Sequence, residues 1–125
     1  MRVVDSSVAV DHLRGYAPAA GLLDGLLADG VALVSSEIVR FELLGGVRHE
    51  ERTVLETFFD GLDWMAVTEE IARQAAVFAR HYRASHSGIC TADYLIAATA
   101  QVLDAPLLTR NVRHFPMFAE LAAPY

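Results

Sequence analysis

The sequence predicts an α/β domain: a three-layer α/β/α sandwich built on a parallel sheet of four to five strands. Short apolar runs rich in β-branched residues alternate along the chain with longer segments of helical periodicity. Strands that alternate with helices pair in parallel through right-handed crossovers, which puts helices on both faces of the sheet. A length of 125 residues suits one domain, so we expect residues 1–125 to fold as a single unit.

The first half of the chain predicts two strands and four helices. "RVVD" at residues 2–5 is a short buried strand, and "SSVAVDHLRG" is a serine-capped helix that follows it. "PAAGLLDGLLADG" has proline near its start and glycine past its end, as helices do. "VALVSS" is the second strand, and Ser36 is the predicted N-cap of a helix that stops at Gly45 and Gly46. "ERTVLETFFDGL" is a further amphipathic helix.

The second half predicts two helices and the remaining strands. "DWMAVT" is a third strand, and "EEIARQAAVFARHYRAS" has acids in its first turn and arginines late, which matches the helix dipole. After the turn "SHSG", the helix "ICTADYLIAATAQVLD" is nearly all apolar and must be largely buried. "APLLTRN" is a fourth strand, and "HFPMFAELAAPY" supplies a short turn with room for a fifth.

Composition excludes several classes of protein. Hydrophobic residues make up 54% and charged residues 21%, as in well-packed folded domains. No apolar run reaches the roughly 18 residues of a membrane span, and no secretory signal begins the chain, so we expect a cytoplasmic protein. A net charge of −6 argues against indiscriminate coating of nucleic acid but not against a nucleic-acid enzyme. The single Cys90 can form neither an internal disulfide nor a cysteine zinc site, and we expect it to be small and buried.

Three acids stand in unusual places. Asp5 ends the first strand, at the edge of a parallel sheet where ligands bind. At about 100° per residue, Glu42 falls between Ile38 and Val39, inside the apolar stripe of its helix. Asp93 shares the apolar side of its own helix, near the first turns. The pattern predicts that all three point inward at one end of the sheet.

Each acid also has a simpler interpretation. Asp5 could cap the helix that begins at Ser6 or Ser7. Glu42 could form a salt bridge with a buried arginine, since an ionised carboxylate needs a partner inside a protein. Asp93 could be an acid favoured by a helix N-terminus, although this does not explain its apolar neighbours.

If the three carboxylates meet, they require a cation. Two unit charges about 4 Å apart repel by roughly 4 kcal/mol at an effective dielectric near 20, so three pairs cost on the order of 10 kcal/mol, comparable with a domain's stability. Oxygen ligands favour Mg²⁺ or Mn²⁺. Thr109 and Asn111 could add neutral oxygens or supporting hydrogen bonds, and Ser6 and Ser7 could donate to the acids. Asn is also a common turn residue, and serines after a strand often cap helices.

Four motifs in this order carry a resemblance to a known family: "VVDSSV", "FELLGG", "TADYLIAATA" and "LLTRNVRHF". Together they span the chain from end to end, and the chain resembles a PIN-domain ribonuclease, in particular a VapC-type toxin of bacterial toxin-antitoxin pairs. The resemblance places the family's acids at Asp5, Glu42 and Asp93. Many PIN domains have a fourth acid, whose matching position is Asn111 here, and this puts a second metal in doubt.

The resemblance implies a fold, a reaction and partners. The family's sheet has five parallel strands in the order 3-2-1-4-5. The implied activity is metal-dependent endoribonuclease cleavage by an activated water, leaving a 3′-hydroxyl and a 5′-phosphate, with Mg²⁺ or Mn²⁺ as cofactor. The implied partners are an RNA substrate and a VapB-like antitoxin, which would lie in a groove between the helices of "AAGLLDGLLADG" and "TVLETFFDGL". Those helices could equally be buried in a homodimer. The alternative function is a non-catalytic PIN-like module that binds protein or RNA.

Overall fold

The computed structural model describes all 125 residues, which form four strands and six helices. The strands are β1 (Arg2–Val4), β2 (Leu33–Ser36), β3 (Asp63–Met65) and β4 (Leu107–Leu108). The helices are α1 (Ser6–Leu13), α2 (Ala17–Ala28), α3 (Glu37–Gly46), α4 (Arg52–Asp60), α5 (Glu69–Tyr82) and α6 (Thr91–Leu103). Short 3₁₀ turns occupy His49–Glu51 and Val112–His114.

The sheet is parallel throughout, with its strands in the order β3-β2-β1-β4. The central strand is β1, on which Val3 pairs with Val34 of β2 and with Leu107 of β4. Val3 and Val4 are fully buried, because neighbouring strands flank β1 and helices cover it. The parallel α/β/α architecture and the predicted order of the first four strands are confirmed.

The sheet has four strands, within the predicted four to five, and the fifth strand that the family order 3-2-1-4-5 implied does not form. Beyond the 3₁₀ turn at Val112–His114, the chain contains no further strand or helix. Its apolar side chains pack sideways against the core instead: Phe115 is 1% exposed, and Met117, Phe118 and Leu121 pack around the same cluster. This segment is therefore fixed by side-chain burial and not by a ladder of backbone hydrogen bonds.

Helix starts and core packing determine where the site residues lie. The side chain of Ser36 accepts a hydrogen bond from the Ile38 amide (3.1 Å), so α3 begins directly after β2, as predicted. In α6 every residue from Ile96 to Ala100 is buried, which confirms that this helix is internal. None of the helices combines the length and apolar character needed to cross a membrane.

Candidate active site

Asp5 is a buried carboxylate at the carboxyl end of β1, with 2% of its surface exposed. It stands at the N-cap position of α1, but its side chain accepts no hydrogen bond from the helix backbone. Its Oδ2 atom accepts instead from the hydroxyl groups of Thr109 (2.6 Å) and Ser7 (2.9 Å). The capping interpretation is therefore wrong, and only neutral hydroxyl groups bond to a buried acid.

The end of β4 supplies the second side of this arrangement. Thr109 follows β4 directly and is fully buried, and the Asp5 amide donates to the carbonyl oxygen of Leu108 (3.0 Å). The amide of Asn111 donates to Thr109 Oγ1 (3.0 Å), which turns the chain just past the strand. The Asn111 side chain forms no hydrogen bond with the acids and faces the clefts beside them. Its amide group therefore contributes to the surroundings of the site, while Thr109 contacts Asp5.

Glu42 lies at the rim of the site. The expectation that its side chain is buried is wrong: Val39 and Leu43 are buried, but Glu42 is exposed. The arginine interpretation is also wrong, because no arginine pairs with Glu42 and Arg40 pairs with Glu37 (2.7 Å). Glu42 instead lines an open cleft together with Val10, Leu13 and Leu43.

The electrostatics of Glu42 reveal its neighbours. Its pKa is raised, first by partial removal of the carboxyl from water and then by the negative charge of Asp5, with a smaller contribution from Asp93. The nearby Ser6 hydroxyl acts in the opposite direction and favours the ionised form of Glu42, while its hydrogen bond goes to Oδ1 of Asp5 (3.5 Å). Helix α3 packs against both α1, which Asp5 precedes, and α6, which carries Asp93, so the three acids lie on neighbouring elements.

Asp93 is held in the first turn of α6, with 9% of its surface exposed. Its Oδ2 atom accepts from the Cys90 amide (3.1 Å), so the interpretation as a helix N-terminal acid is correct for this contact. The same oxygen lies 3.1 Å from Nδ1 of His114 and 3.3 Å from the Cys90 sulfur. Asp93 thus has polar partners of its own, and none of them is an arginine.

No three histidine, cysteine, aspartate or glutamate side chains stand in an arrangement that would hold a metal ion directly. Asp5 turns toward Thr109 and Ser7, and Asp93 turns toward Cys90 and His114. Each of these two carboxylates is thus oriented by hydrogen-bonding partners of its own. That the three acids share one cation stays a prediction, and it requires side-chain rotation, for which exposed Glu42 has the most room.

Two residues at the site differ from expectation or were not predicted. Cys90 is exposed, not buried, because it precedes α6 at the surface where its sulfur contacts Asp93. His114 was missed, although it belongs to the same motif, "LLTRNVRHF", that pointed to Thr109 and Asn111. Its position just after β4 was the available signal, since that edge of the sheet already carried the site.

The fold and the site together define an α/β protein with an acidic centre at the carboxyl edge of its parallel sheet. The PIN domain family profile matches residues 2–122, and the chain therefore belongs to the PIN domain family. This confirms the resemblance inferred from the four sequence motifs.

Several relatives support this assignment. Ribonuclease VapC19 of Mycobacterium tuberculosis is 57% identical over 125 residues, the full length of both chains. Ribonuclease VapC10 of the same organism is 44% identical over 125 residues, covering all of this chain and 93% of that protein. Among solved structures, VapBC2 from Rickettsia felis bound to a promoter DNA fragment has a similar fold (TM-score 0.83, 20% identity, 98% of this chain and 96% of that chain). A toxin-antitoxin complex from Klebsiella pneumoniae is also similar (TM-score 0.82, 21% identity, 100% and 98% coverage).

Proposed function

We propose that the protein is a metal-dependent endoribonuclease that acts as the toxin of a toxin-antitoxin pair. The observation that carries the proposal is the buried Asp5, bonded only to hydroxyl groups and close enough to Glu42 to raise its pKa. Acidic side chains that no arginine pairs with, at the ligand-binding edge of a sheet, are suited to binding a metal ion. The two ribonucleases of M. tuberculosis that this chain resembles support the reaction class.

The donor set fits a hard divalent cation such as Mg²⁺ or Mn²⁺. Carboxylate and hydroxyl oxygens are the ligands these ions prefer, and no arginine neutralises Asp5, Glu42 or Asp93. Asp5, Glu42 and Asp93 would hold the ion. When bound, the ion would lower the pKa of a water molecule and offset charge on the phosphoryl oxygens.

The protein's own residues perform the positioning. Ser7 and Thr109 both donate to Oδ2 of Asp5, which fixes the direction of that carboxylate before substrate arrives. His114 and the Cys90 amide hold Asp93 in the same way from the α6 side. Glu42 is exposed at the rim of the site, where water can reach it, so we assign it to orienting the attacking water.

Removing the acids one at a time tests the reaction. We expect purified protein to cleave single-stranded RNA in Mg²⁺ or Mn²⁺, leaving 3′-hydroxyl and 5′-phosphate ends, and EDTA to abolish cleavage. Asp5→Asn and Asp93→Asn should each lower the cleavage rate by about a hundredfold or more, because loss of a ligand weakens ion binding and charge stabilisation. Asp60→Asn removes one charge from the exposed end of α4 and should cleave as the unchanged protein does.

Two outcomes would contradict this proposal. Full activity in Asp5→Asn would remove the carboxylate from the chemistry. No cleavage by antitoxin-free protein, with RNA binding retained, would favour a non-catalytic RNA-binding module. In cells, expression should arrest bacterial growth, and co-expression of a neighbouring antitoxin gene should restore it. Asp93→Asn should be harmless when expressed at the same level.

We further propose that a VapB-like antitoxin occupies an apolar groove between α2 and α4. This groove has a volume of about 440 Å³ and includes Leu23, Leu27, Val54, Phe58 and Leu62 in its lining. Val54 and Leu27 are exposed on its surface, so an apolar segment of a partner would bury them. The solved toxin-antitoxin complexes with this fold support a partner of that kind.

A single charge in the groove tests this partner. Val54→Arg should abolish co-purification with the antitoxin and leave RNA cleavage unchanged, because Val54 lies on the groove and not at the acids. Val77→Arg is the matched control, since Val77 is an exposed valine on α5 and lies outside the groove. The molar mass of the free protein in solution tests the alternative that a homodimer buries the groove. If the protein is a dimer and Val54→Arg converts it to a monomer, the groove binds a second copy of the chain.

A further inference from the structure

Four side chains form a cluster that joins the end of β4, α1, the loop before α2 and the C-terminal residue. This Arg110 cluster consists of Arg110, Asp11, Tyr16 and Tyr125. Nη1 of Arg110 donates to Oδ2 of Asp11 (2.8 Å), and the Tyr125 hydroxyl donates to the same oxygen (2.7 Å). The guanidinium carbon lies 5.9 Å from the ring centroids of both tyrosines, whose rings meet edge to face at 5.7 Å. The guanidinium group therefore lies beside the pair of aromatic rings, at the same distance from each.

The cluster is connected to the acids through Ser7. The amide of Arg110 donates to Ser7 Oγ (3.0 Å), and the same hydroxyl group donates to Asp5. Arg110 also follows Thr109, the other residue that donates to Asp5. A displacement of the Arg110 backbone would therefore move Thr109 and break the bond to Ser7, which are the two hydroxyl partners of the buried carboxylate.

Arg110 lines two open clefts beside the acids. The first, of about 360 Å³, is lined by Ser6, Ser7, Val10, Asp11, Arg110 and Asn111. The second, of about 380 Å³, lies against Arg110, Asn111, Arg113 and His114 among others. Arg110 and Asn111 are common to both clefts, and His114 of the second contacts Asp93. A strand of nucleic acid in these clefts would pass the Arg110 guanidinium and the side chains of Ser7 and His114, which contact Asp5 and Asp93.

Most donors of Arg110 are unused. A guanidinium group has five N–H donors, and only Nη1 of Arg110 bonds to another side chain. Half of the side chain is exposed (51%), while Asp11 fixes its position. An arginine held by a carboxylate on one side and open on the other loses little conformational freedom when it binds an anion.

We propose that Arg110 contacts a backbone phosphate of the RNA substrate next to the cleaved bond, and that Tyr16 stacks with a base of the same strand. This inference rests on the proposed function and deepens it, because it names a substrate-binding residue beside the acids. The ligand is single-stranded RNA, since a guanidinium fork pairs with phosphate oxygens and an exposed aromatic ring stacks with unpaired bases. Tyr16 is 48% exposed, which leaves ring surface for such a contact.

The opposing interpretation is that the cluster only fastens the C-terminus. In that case the contacts of Tyr125 and Arg110 with Asp11 would both serve to hold the C-terminus. Breaking either contact would then lower stability and activity together. A phosphate contact differs in a measurable way. Each phosphate that a cationic side chain neutralises adds about 0.7 to the slope of log affinity against log salt for a single strand.

The experiment measures binding of a fluorescein-labelled single-stranded RNA oligonucleotide by anisotropy over a series of salt concentrations. All variants are made in an Asp5→Asn background with Mg²⁺ present, so that the RNA is not cut. Arg110→Gln should weaken binding about tenfold and reduce the salt slope by about 0.7. Arg110→Lys should recover the slope but not the full affinity, because lysine keeps the charge without the fork.

Matched substitutions separate binding from fastening. Tyr125→Phe removes the bond to Asp11 and keeps Arg110, so its salt slope should equal that of the parent. Tyr16→Ala should weaken binding severalfold, and Tyr16→Phe should not, because stacking needs the ring and not the hydroxyl. Arg83→Gln, at the exposed C-cap of α5, controls for loss of one positive charge.

An unchanged salt slope in Arg110→Gln, or an equal reduction in Arg83→Gln, would overturn the proposal. If Arg110→Gln fails to fold, Arg110→Lys decides: affinity equal to that of the parent would overturn it. Cleavage assays of variants that keep Asp5 then distinguish the Arg110 proposal from the proposed ribonuclease function. Arg110→Gln should raise KM far more than it lowers kcat, whereas absence of cleavage by the unsubstituted protein would contradict the proposed function alone.

Discussion

At the scale of single residues, the chemistry depends on what Asp5 bonds to and what it does not. Its partners Thr109 and Ser7 are neutral, so they fix the carboxylate without reducing its charge. A buried charge without an opposite charge is costly, and it becomes tolerable when a cation is supplied. Thr109 is itself fully buried, which makes its 2.6 Å hydrogen bond insensitive to solvent.

The pKa of Glu42 reports on this arrangement. Removing the Asp5 charge with Asp5→Asn should lower the pKa of Glu42 toward the ordinary value of 4.5, because that charge contributes to raising it. Carboxyl-carbon NMR titration of both proteins without metal measures the change, with Asp60→Asn as the control. An unchanged Glu42 pKa in Asp5→Asn would show that the two acids are not neighbours.

The same shift fixes the sign of a pH effect on stability. The folded pKa of Glu42 lies above its unfolded value, so folding favours the protonated form. The stability that this group contributes is present below its unfolded pKa and is lost as pH rises through the folded pKa. At pH values above the folded pKa of Glu42, Glu42→Gln should therefore be more stable than the unsubstituted protein. The difference should shrink as the pH falls below that pKa. Urea unfolding at several pH values measures it.

The sequence predicted a residue's position where its place along a strand determines it. It did not predict a side chain's exposure where neighbouring elements determine it. Asp5 follows a short buried strand, so its place at the sheet edge could be read directly. Glu42 has the helical phase of an inward residue, but α3 lies beside an open cleft, and that phase points to the rim. Periodicity gives the direction of a side chain around its helix, whereas its exposure depends on what the rest of the fold places there.

At the scale of elements, the alternation of strands and helices was predictable because each element has local signals. Ser36 caps α3, and Thr68 accepts from the Ile71 amide to cap α5 (3.2 Å). The C-terminal segment has no such signal. Its alternating apolar residues suit a strand, but they satisfy the core by side-chain packing, so the expected fifth strand is absent. The Tyr125 contact with Asp11 joins residues 114 positions apart and could not be foreseen from local pattern.

The end of α6 gives a stability prediction at this scale. Asp104 has φ of 50° and ψ of 46°, a left-handed conformation that favours glycine, and its charge lies at the negative end of the helix dipole. Asp104→Gly should raise the free energy of unfolding by about 1 kcal/mol, because both unfavourable terms are removed. Urea unfolding measures the gain.

Asp29 provides the matched control for that substitution. It caps α2 with φ of −81° and ψ of 4°, so it has the same charge at a helix end without left-handed backbone. Asp29→Gly should stabilise the protein less than Asp104→Gly or destabilise it, since glycine adds flexibility to the unfolded chain. Equal gains at both positions would attribute the effect to charge alone.

At the scale of the whole molecule, the buried acids lower the stability that the core packing provides. A core of 17 buried residues joins the sheet to its helices, and a second cluster of five joins α5 to α6. Asp5 and Asp93 are buried at the edge of this core in a protein whose net charge is already −6. The site therefore lowers the stability of the fold, and packing elsewhere must offset that loss. Such a cost is common at functional sites.

Binding of a divalent cation should return that stability. A ligand that binds only the folded state stabilises it by about 2.7 kcal/mol at a hundred times its dissociation constant. Mg²⁺ or Mn²⁺ should therefore raise the urea midpoint of the unsubstituted protein, and the increment should nearly vanish in Asp5→Asn and Asp93→Asn. Without metal, those two variants should be as stable as the parent or more so, because one repelling charge is gone. Asp60→Asn makes the same change in net charge away from the acids and should keep the full increment, so an equal loss in Asp60→Asn would reduce the effect to general screening of an acidic surface.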